Sequence, residues 1–202
     1  DPSYTESVWW VFSELNKKCL VYEGFKSMHL CPRCGTTLSN FEVNQGYKDI
    51  KDIAVTVKLP LLDDTGNVTD TSLLVWTTTP WTLVSNTAIA VHPDVDYVVV
   101  ETTLDEKSEV LIVAEALIES VKGDKKILKK ILGKDLEHTK YKRPLDYVDI
   151  PDAHYVVLAT YVTTEDGTGL VHQSPAFGAD DLQVCRSYGL PVVNPIAPDG
   201  TS

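Results

Sequence analysis

The chain has 202 residues, 43% of them apolar, and a formal net charge of −11. That is enough apolar material for one globular domain with an appendage, with no run of about 18 apolar residues and so no expected membrane span. The acidic balance argues against a free-standing nucleic-acid binder, because phosphate contacts need clustered Lys and Arg, and four cysteines without framework spacing point to a reducing, cytoplasmic setting.

The chain starts Asp1-Pro2-Ser3-Tyr4, with neither an initiator Met nor a signal-peptide pattern, and is expected to be an internal stretch of a longer protein. Ser3 with Glu6 has the spacing of a capping box. Val8, Trp9, Phe12, Leu15, Cys19 and Leu20 then recur at helical spacing, which predicts a helix to about Tyr22, ended near Gly24. Its apolar stripe is large for a lone helix, so loose docking is expected. Cys31-Pro32-Arg33-Cys34-Gly35 is a CxxC turn, half of a zinc knuckle; a closed tetrahedral site needs two more ligands. Cys19 and Cys185 are single and distant, and the βαβ context of a redox CxxC is missing. Asn44 to Tyr47 reads as a turn. It marks the expected boundary between a connecting segment, residues 1–46, and the main domain, residues 47–202.

In the main domain, strands are predicted at Ile53–Leu59, Leu73–Trp76, Ala88–Val91, Tyr97–Val100 and Val110–Val113, with a turn at Asp63–Asn67 and a short helix at Ala114–Val121. Lys122 to Lys134 allows a basic amphipathic helix with Ile127, Leu128, Ile131 and Leu132 inside, or an extended segment. It is the one basic patch, either a contact to a phosphate backbone or a solvated lysine face. A strand at His154–Thr160, a turn at Glu165–Gly167, a helix from Asp180 to Tyr188 and a last strand at Val192–Val193 complete the pattern. Many short strands with several short helices predict an α+β fold with a compact, barrel-like β core.

Two stretches carry the chemistry. Leu73 to Asn86 reads LLVWTTTPWTLVSN: an apolar strand runs into Thr77, Thr78 and Thr79, and Pro80 stops it. Trp76 and Trp81 flank that polar loop as a small pocket's walls would; alternatively it is an ordinary Thr-rich strand end. Gly167 to Asp181 reads GTGLVHQSPAFGADD, a short strand with His172 at its end, a loop shaped by Pro175 and Gly178, and Asp180-Asp181 opening a helix. Taken singly, His172 reads as a satisfied histidine and Asp181 as a helix cap.

Together the two motifs resemble the inserted editing domain of isoleucyl-tRNA synthetases, in the class I aminoacyl-tRNA synthetase family. The valyl and leucyl branches carry an Arg after the second Thr of the loop, no Trp after the proline and no His in the second motif; Thr79, Trp81 and His172 fit the isoleucyl branch. Val84 departs from the family's usual proline and removes no chemical group. The resemblance favours the extended reading of the Lys-rich segment and places a second cysteine pair beyond Ser202. It therefore implies that Cys31 and Cys34 form only a half site, with zinc confined to the full-length parent, and that editing needs no cofactor.

The resemblance also implies a function. One methylene separates valine from isoleucine, which a pocket discriminates by about 1–3 kcal/mol, roughly 10–200-fold, so a second site removes the wrong product. The expected reaction is hydrolysis of valyl-tRNA(Ile), and of valyl-adenylate as a second substrate. The expected partners are the valine-bearing 3′ end of tRNA(Ile) and the rest of a monomeric synthetase. Asp181 would hold the α-ammonium group. Thr77, Thr78 and Thr79 would hold the adenosine and ester and place water. His172, Trp76 and Trp81 would bound the side-chain pocket, with Thr82 and Asn86 as further substrate-binding residues. No covalent nucleophile with an evident base stands out, so attack by a positioned water, helped by the substrate's ribose hydroxyl, is expected. The valyl enzyme's editing domain, acting on threonyl-tRNA(Val), and a non-catalytic binder of the tRNA 3′ end are the alternatives.

Overall fold

The computed structural model describes residues 1–104 and 106–201, so the boundary placed at Ser202 lies outside the described residues. Asp1, not Ser3, caps the first helix, α1 (Pro2–Lys17): its carboxylate accepts the Ser3 N–H at 3.1 Å. Pro2 sits in the first turn, where a missing N–H costs nothing. The helix stops short of Tyr22 because Cys19 takes a φ of 56°, and the N–H groups of Cys19 and Leu20 return to the carbonyls of Asn16 and Leu15 at 2.9 and 3.1 Å. No residue of α1 is buried; Trp9 and Trp10 are 71% and 65% exposed. Next, β1 (Leu30–Cys31) and β2 (Thr36–Thr37) form a hairpin around the CxxC turn. A one-turn helix that the sequence pattern did not suggest, α2 (Asn40–Val43), is closed by a capping box of Ser39 and Glu42.

The main sheet is built on a hairpin, β3 (Val55–Leu62) against β4 (Val68–Thr77), joined by the Asp63–Asn67 turn. β4 is longer than its apolar run suggested, since it begins among polar residues such as Thr69 and Thr71, and β3 starts at Val55 rather than Ile53 and runs on to Leu62. The other edge of β4 serves two parallel partners. Thr71 to Leu73 pair with β7 (Lys107–Ala114), and Trp76 pairs with Val171 of β10 (Leu170–Gln173). Beyond β10 lie β5 (Ala88–Val91) and β9 (Tyr155–Leu158). The ring then closes. Segment 140–142 bridges β9 at Tyr155 and β3 at Leu61, with the Leu62 N–H donating to the Lys140 carbonyl at 2.9 Å and the Lys142 N–H to that of Pro60 at 2.8 Å. The interior is filled by Leu59, Leu73, Val75, Ile89, Val156 and Leu170, with Tyr141 among them. This is the expected barrel-like core, with alternate residues of each strand facing inward.

A wing leaves the barrel where β7 diverges: β7 pairs with β6 (Asp96–Leu104), and β6 with β8 (Asp124–Leu132). The Lys-rich segment is therefore an edge strand, not a helix, and Ile127 and Leu128 are exposed. Gly123, with a φ of 90°, turns the chain into β8, and the open edge of β6 supplies the partner. Three of its lysines face glutamates: Lys125 pairs with Glu119 at 2.8 Å, Lys126 with Glu101 at 4.0 Å, and Lys130 with Glu115. The short helix expected at Ala114–Val121 is a kinked 3-10 segment, Glu115–Ser120. Val192 and Val193 form no strand. The last helix, α3 (Ala179–Ser187), packs Cys185 onto Ala88, Ala90 and Val157 on the outer face of the barrel. Among the described residues no helix is long and apolar enough to cross a membrane.

Candidate active site at the mouth of the barrel

Because β4 and β10 are parallel, their carboxyl ends open at the same rim, and antiparallel β5 begins there. The rim gathers the loop after Thr77, the end of β10 at His172 and the residues before Ala88. Glycine makes the approach possible. Gly169, with a φ of 75°, passes so close to β7 that a Cβ would lie 2.4 Å from the Ala114 Cβ. Tyr97 ties the same point to the wing. Its hydroxyl donates to the Gly169 carbonyl at 2.7 Å and accepts the His92 N–H at 3.0 Å, and burial pushes its pKa up to about 12.

Pro80 ends β4 and starts a 3-10 turn, Pro80–Ser85. The turn folds the threonines onto one another. The Thr79 N–H donates to Thr77 Oγ1 at 3.1 Å, and Thr79 Oγ1 lies 3.4 Å from Thr77 Oγ1 and 3.3 Å from Thr82 Oγ1. Thr77 and Thr82 are buried; Thr78 and Thr79 are exposed at the rim. Thr82 reaches His172, Oγ1 to Nε2 at 2.9 Å, and the other ring nitrogen, Nδ1, meets Asn86 Nδ2 at 2.7 Å. His172 is 6% exposed, and burial drives its pKa down to about 4. Both ring nitrogens are held by protein groups, and the ring is neutral near pH 7.

Asp181 sits in the first turn of α3, where the helix N-terminus favours negative charge. Gly178, not an aspartate, is the N-cap. A Cβ on Gly178 would lie 2.9 Å from the Asp181 carboxyl carbon, so a larger residue there would push that carboxylate out of its present place. Asp181 Oδ2 accepts the Ser174 N–H at 2.8 Å. Burial raises its pKa, opposed by that hydrogen bond. Ser174 connects the carboxylate to the threonine loop: its hydroxyl lies 2.7 Å from Ser85 Oγ, which donates to the Thr82 carbonyl at 3.1 Å. Above this bridge Trp81 meets Phe177 edge to face, with centroids 5.0 Å apart, and joins the two loops again.

The structure thus brings Thr77, Thr79, Thr82, Asn86 and His172 into one network, with Thr78 beside it on the exposed loop and Asp181 joined through Ser174. The tryptophans do not wall the ring of His172. Trp76 alternates with Val75 and Thr77, so it faces the outside of the barrel, over Gly167, where a Cβ would approach its ring to 2.7 Å. Trp81, 54% exposed, lines a groove of about 460 Å³ with Leu30, Pro32, Ile196, Ala197 and Pro198. Ser85, Ser174 and Tyr141 escaped the sequence reading. The serines lay inside the motifs but are chemically nondescript; Tyr141 lay outside them, and only its burial marks it.

At the CxxC turn, the Gly35 N–H donates to the Cys31 carbonyl at 2.8 Å, and hydrogen bonds from Cys34 lower the Cys31 pKa. The two thiols suit half of a zinc site. Among the described residues no group of three or more His, Cys, Asp or Glu side chains could hold a metal.

The sequence profile of tRNA synthetases class I (I, L, M and V) matches residues 1–174. The chain is similar to the isoleucine–tRNA ligase of Thermobifida fusca, 53% identical over all of this chain and 19% of the relative. It is 42% identical to that of Methanocaldococcus jannaschii, over 98% of this chain and 20% of the relative. It therefore spans about a fifth of the length of the curated relatives it matches. In fold it is similar to the crystal structure of GlLeuRS-CP1, with a TM-score of 0.53 at 22% identity over 69% of this chain and 66% of the other. It is also similar to the editing domain of P. knowlesi cytosolic leucyl-tRNA synthetase, with a TM-score of 0.53 at 19% identity over 67% and 64%.

Proposed function

Because this chain belongs to the class I tRNA synthetases, we propose that it is the proofreading segment of an isoleucine–tRNA ligase, hydrolysing the ester of valine misattached to tRNA(Ile). Valyl-adenylate is the second substrate in this reading. The partners are the 3′ end of that tRNA and the remainder of a monomeric, cytoplasmic ligase, to which residues 1–46 connect the editing domain. The observation that carries the reading is the bridge from Asp181 through Ser174 and Ser85 to the threonine turn: an anion and a cluster of hydroxyls share one rim.

Asp181 takes the α-ammonium group of the misattached amino acid. An ammonium facing a half-buried carboxylate makes a directional, charge-assisted bond, which an uncharged acyl group cannot form. Thr78 and Thr79, exposed at the rim, hold the adenosine and ester and orient water at the carbonyl carbon. The tetrahedral intermediate collapses with loss of the ribose oxygen, and the neighbouring ribose hydroxyl assists the proton transfer. His172 moves no proton; it keeps Thr82, and so the loop, in place. Cys31 and Cys34 would supply two thiolates to a zinc ion completed by residues elsewhere in the ligase. That metal would brace the hairpin and take no part in the hydrolysis.

The test is deacylation by the full-length ligase of valyl-tRNA(Ile), isoleucyl-tRNA(Ile) and threonyl-tRNA(Val). The first should be cleaved preferentially. Preference for the third would assign the site to the valyl type, and cleavage of none would leave a binding module. Asp181→Ala is expected to lower kcat/KM for valyl-tRNA(Ile) about a hundredfold, the ~2.7 kcal/mol that lies within the roughly 2–5 kcal/mol cost of losing one partner of a hydrogen-bonded charge pair. Unchanged hydrolysis would remove Asp181 from the mechanism.

A further inference from the structure

Tyr141 belongs to the segment that closes the barrel, and its side chain is fully buried. Its hydroxyl donates to Asn86 Oδ1 at 2.6 Å. Two contacts together orient the Asn86 amide: the phenol donates to Oδ1, and Nδ2 lies 3.0 Å from the Ala88 carbonyl, which can only accept. The second hydrogen of Nδ2 therefore goes to His172 Nδ1. A ring nitrogen that accepts carries no proton, so the neutral imidazole is protonated at Nε2 and donates to Thr82 Oγ1. Thr82 gives its own proton to the Thr79 carbonyl at 2.7 Å. Its remaining lone pair faces the Thr79 hydroxyl, whose proton is drawn inward, leaving a lone pair towards the open rim.

We propose that Tyr141 is a positioning residue. Through Asn86 it holds His172 as the Nε2–H tautomer, and His172 in turn sets the Thr79 hydroxyl as an outward acceptor for the attacking water. The kinetic consequence rests on the ester-hydrolysis reading above; the tautomer does not. Without the phenol, Asn86 Oδ1 is buried with no donor, and the amide can turn over and let the Nδ1–H form of His172 gain population. A merely structural role for Tyr141 would change stability and leave the histidine's protonation pattern alone.

The experiment is 15N NMR of the His172 ring in this chain and in its Tyr141→Phe variant, which keeps the aromatic packing. It is read beside the hydrolysis of valyl-tRNA(Ile) by the full-length ligase carrying the same change. The wild-type ring should show the Nε2–H pattern, and Tyr141→Phe should move both ring nitrogens towards an averaged pattern. The variant's kcat should fall about tenfold, the loss of one hydrogen bond, with KM held within about twofold. An Nδ1–H pattern in the wild type, ring signals unmoved in the variant, or moved signals with an unchanged kcat would each overturn the proposal. Should Tyr141→Phe fail to fold, Thr82→Val cuts the line at its other end at nearly the same volume. It should lower kcat while keeping the Nε2–H pattern, and an unchanged kcat would overturn the proposal. A wild-type ligase that cleaves no valyl-tRNA would defeat the functional reading, and the NMR arm would still decide the tautomer.

Discussion

The barrel and the N-terminal stretch use similar residues to opposite ends. In the barrel, Leu73, Val75, Ile89 and Leu170 are sealed between strands that share one interior. In α1, Trp9, Trp10 and Phe12 repeat with helical regularity, yet all remain exposed. Periodicity announces which face of an element wants cover; it does not provide the cover. In the barrel the cover comes from strands distant in sequence, held by the ladder of β4 and the closure at segment 140–142. Among the described residues no such surface lies against α1. Polar residues divide in the same way. Those at the mouth are locked by one another, whereas Ser3 and Ser7 of α1 bond only within their own turn.

The contrast is testable from its strongest point downward. Ile89→Ala, in the barrel interior, is expected to cost about 2–5 kcal/mol of stability in a urea titration. A cost under ~1 kcal/mol would mean the ring is not the sealed core described. Next is the buried histidine. Its pKa falls from the ordinary 6.5 to about 4 on folding, so the unfolded chain binds a proton that the folded one refuses between those values. Stability from this group is complete above pH 6.5 and is lost as pH falls towards 4, on the order of 3 kcal/mol in all. Urea midpoints across that window should slope downward with acid, and a His172→Gln chain should lose that part of the slope. The smallest effect lies in the other region: Trp9→Ala should change stability by less than ~0.5 kcal/mol. A loss as large as that of Ile89 would show that α1 packs in solution and would erase the contrast.

The two motifs were legible because their chemistry is local in sequence: Pro80 ends a strand, Gly178 clears room for a carboxylate, and a run of hydroxyls needs only a turn to meet. What closes the site was not. Tyr141 reaches Asn86 across 55 residues, and no local pattern separates it from any other tyrosine. The Lys-rich stretch was ambiguous because its isoleucines and leucines satisfy a helix as well as an edge strand. The open side of β6 decided the matter, and that is a property of another part of the chain. Trp76 was misplaced for a simpler reason: it adjoins Thr77 in sequence, and on a strand neighbours point to opposite faces. Helix ends erred by a few residues where the cap was Asp1 and the stop a left-handed cysteine.

The short segment that shuts the ring between β9 and β3 also bears the phenol behind the histidine. Assembly and tuning therefore share one address. Closing the ring and seating the phenol on Asn86 are thus one structural event, and whatever loosens segment 140–142 also releases the amide beneath His172.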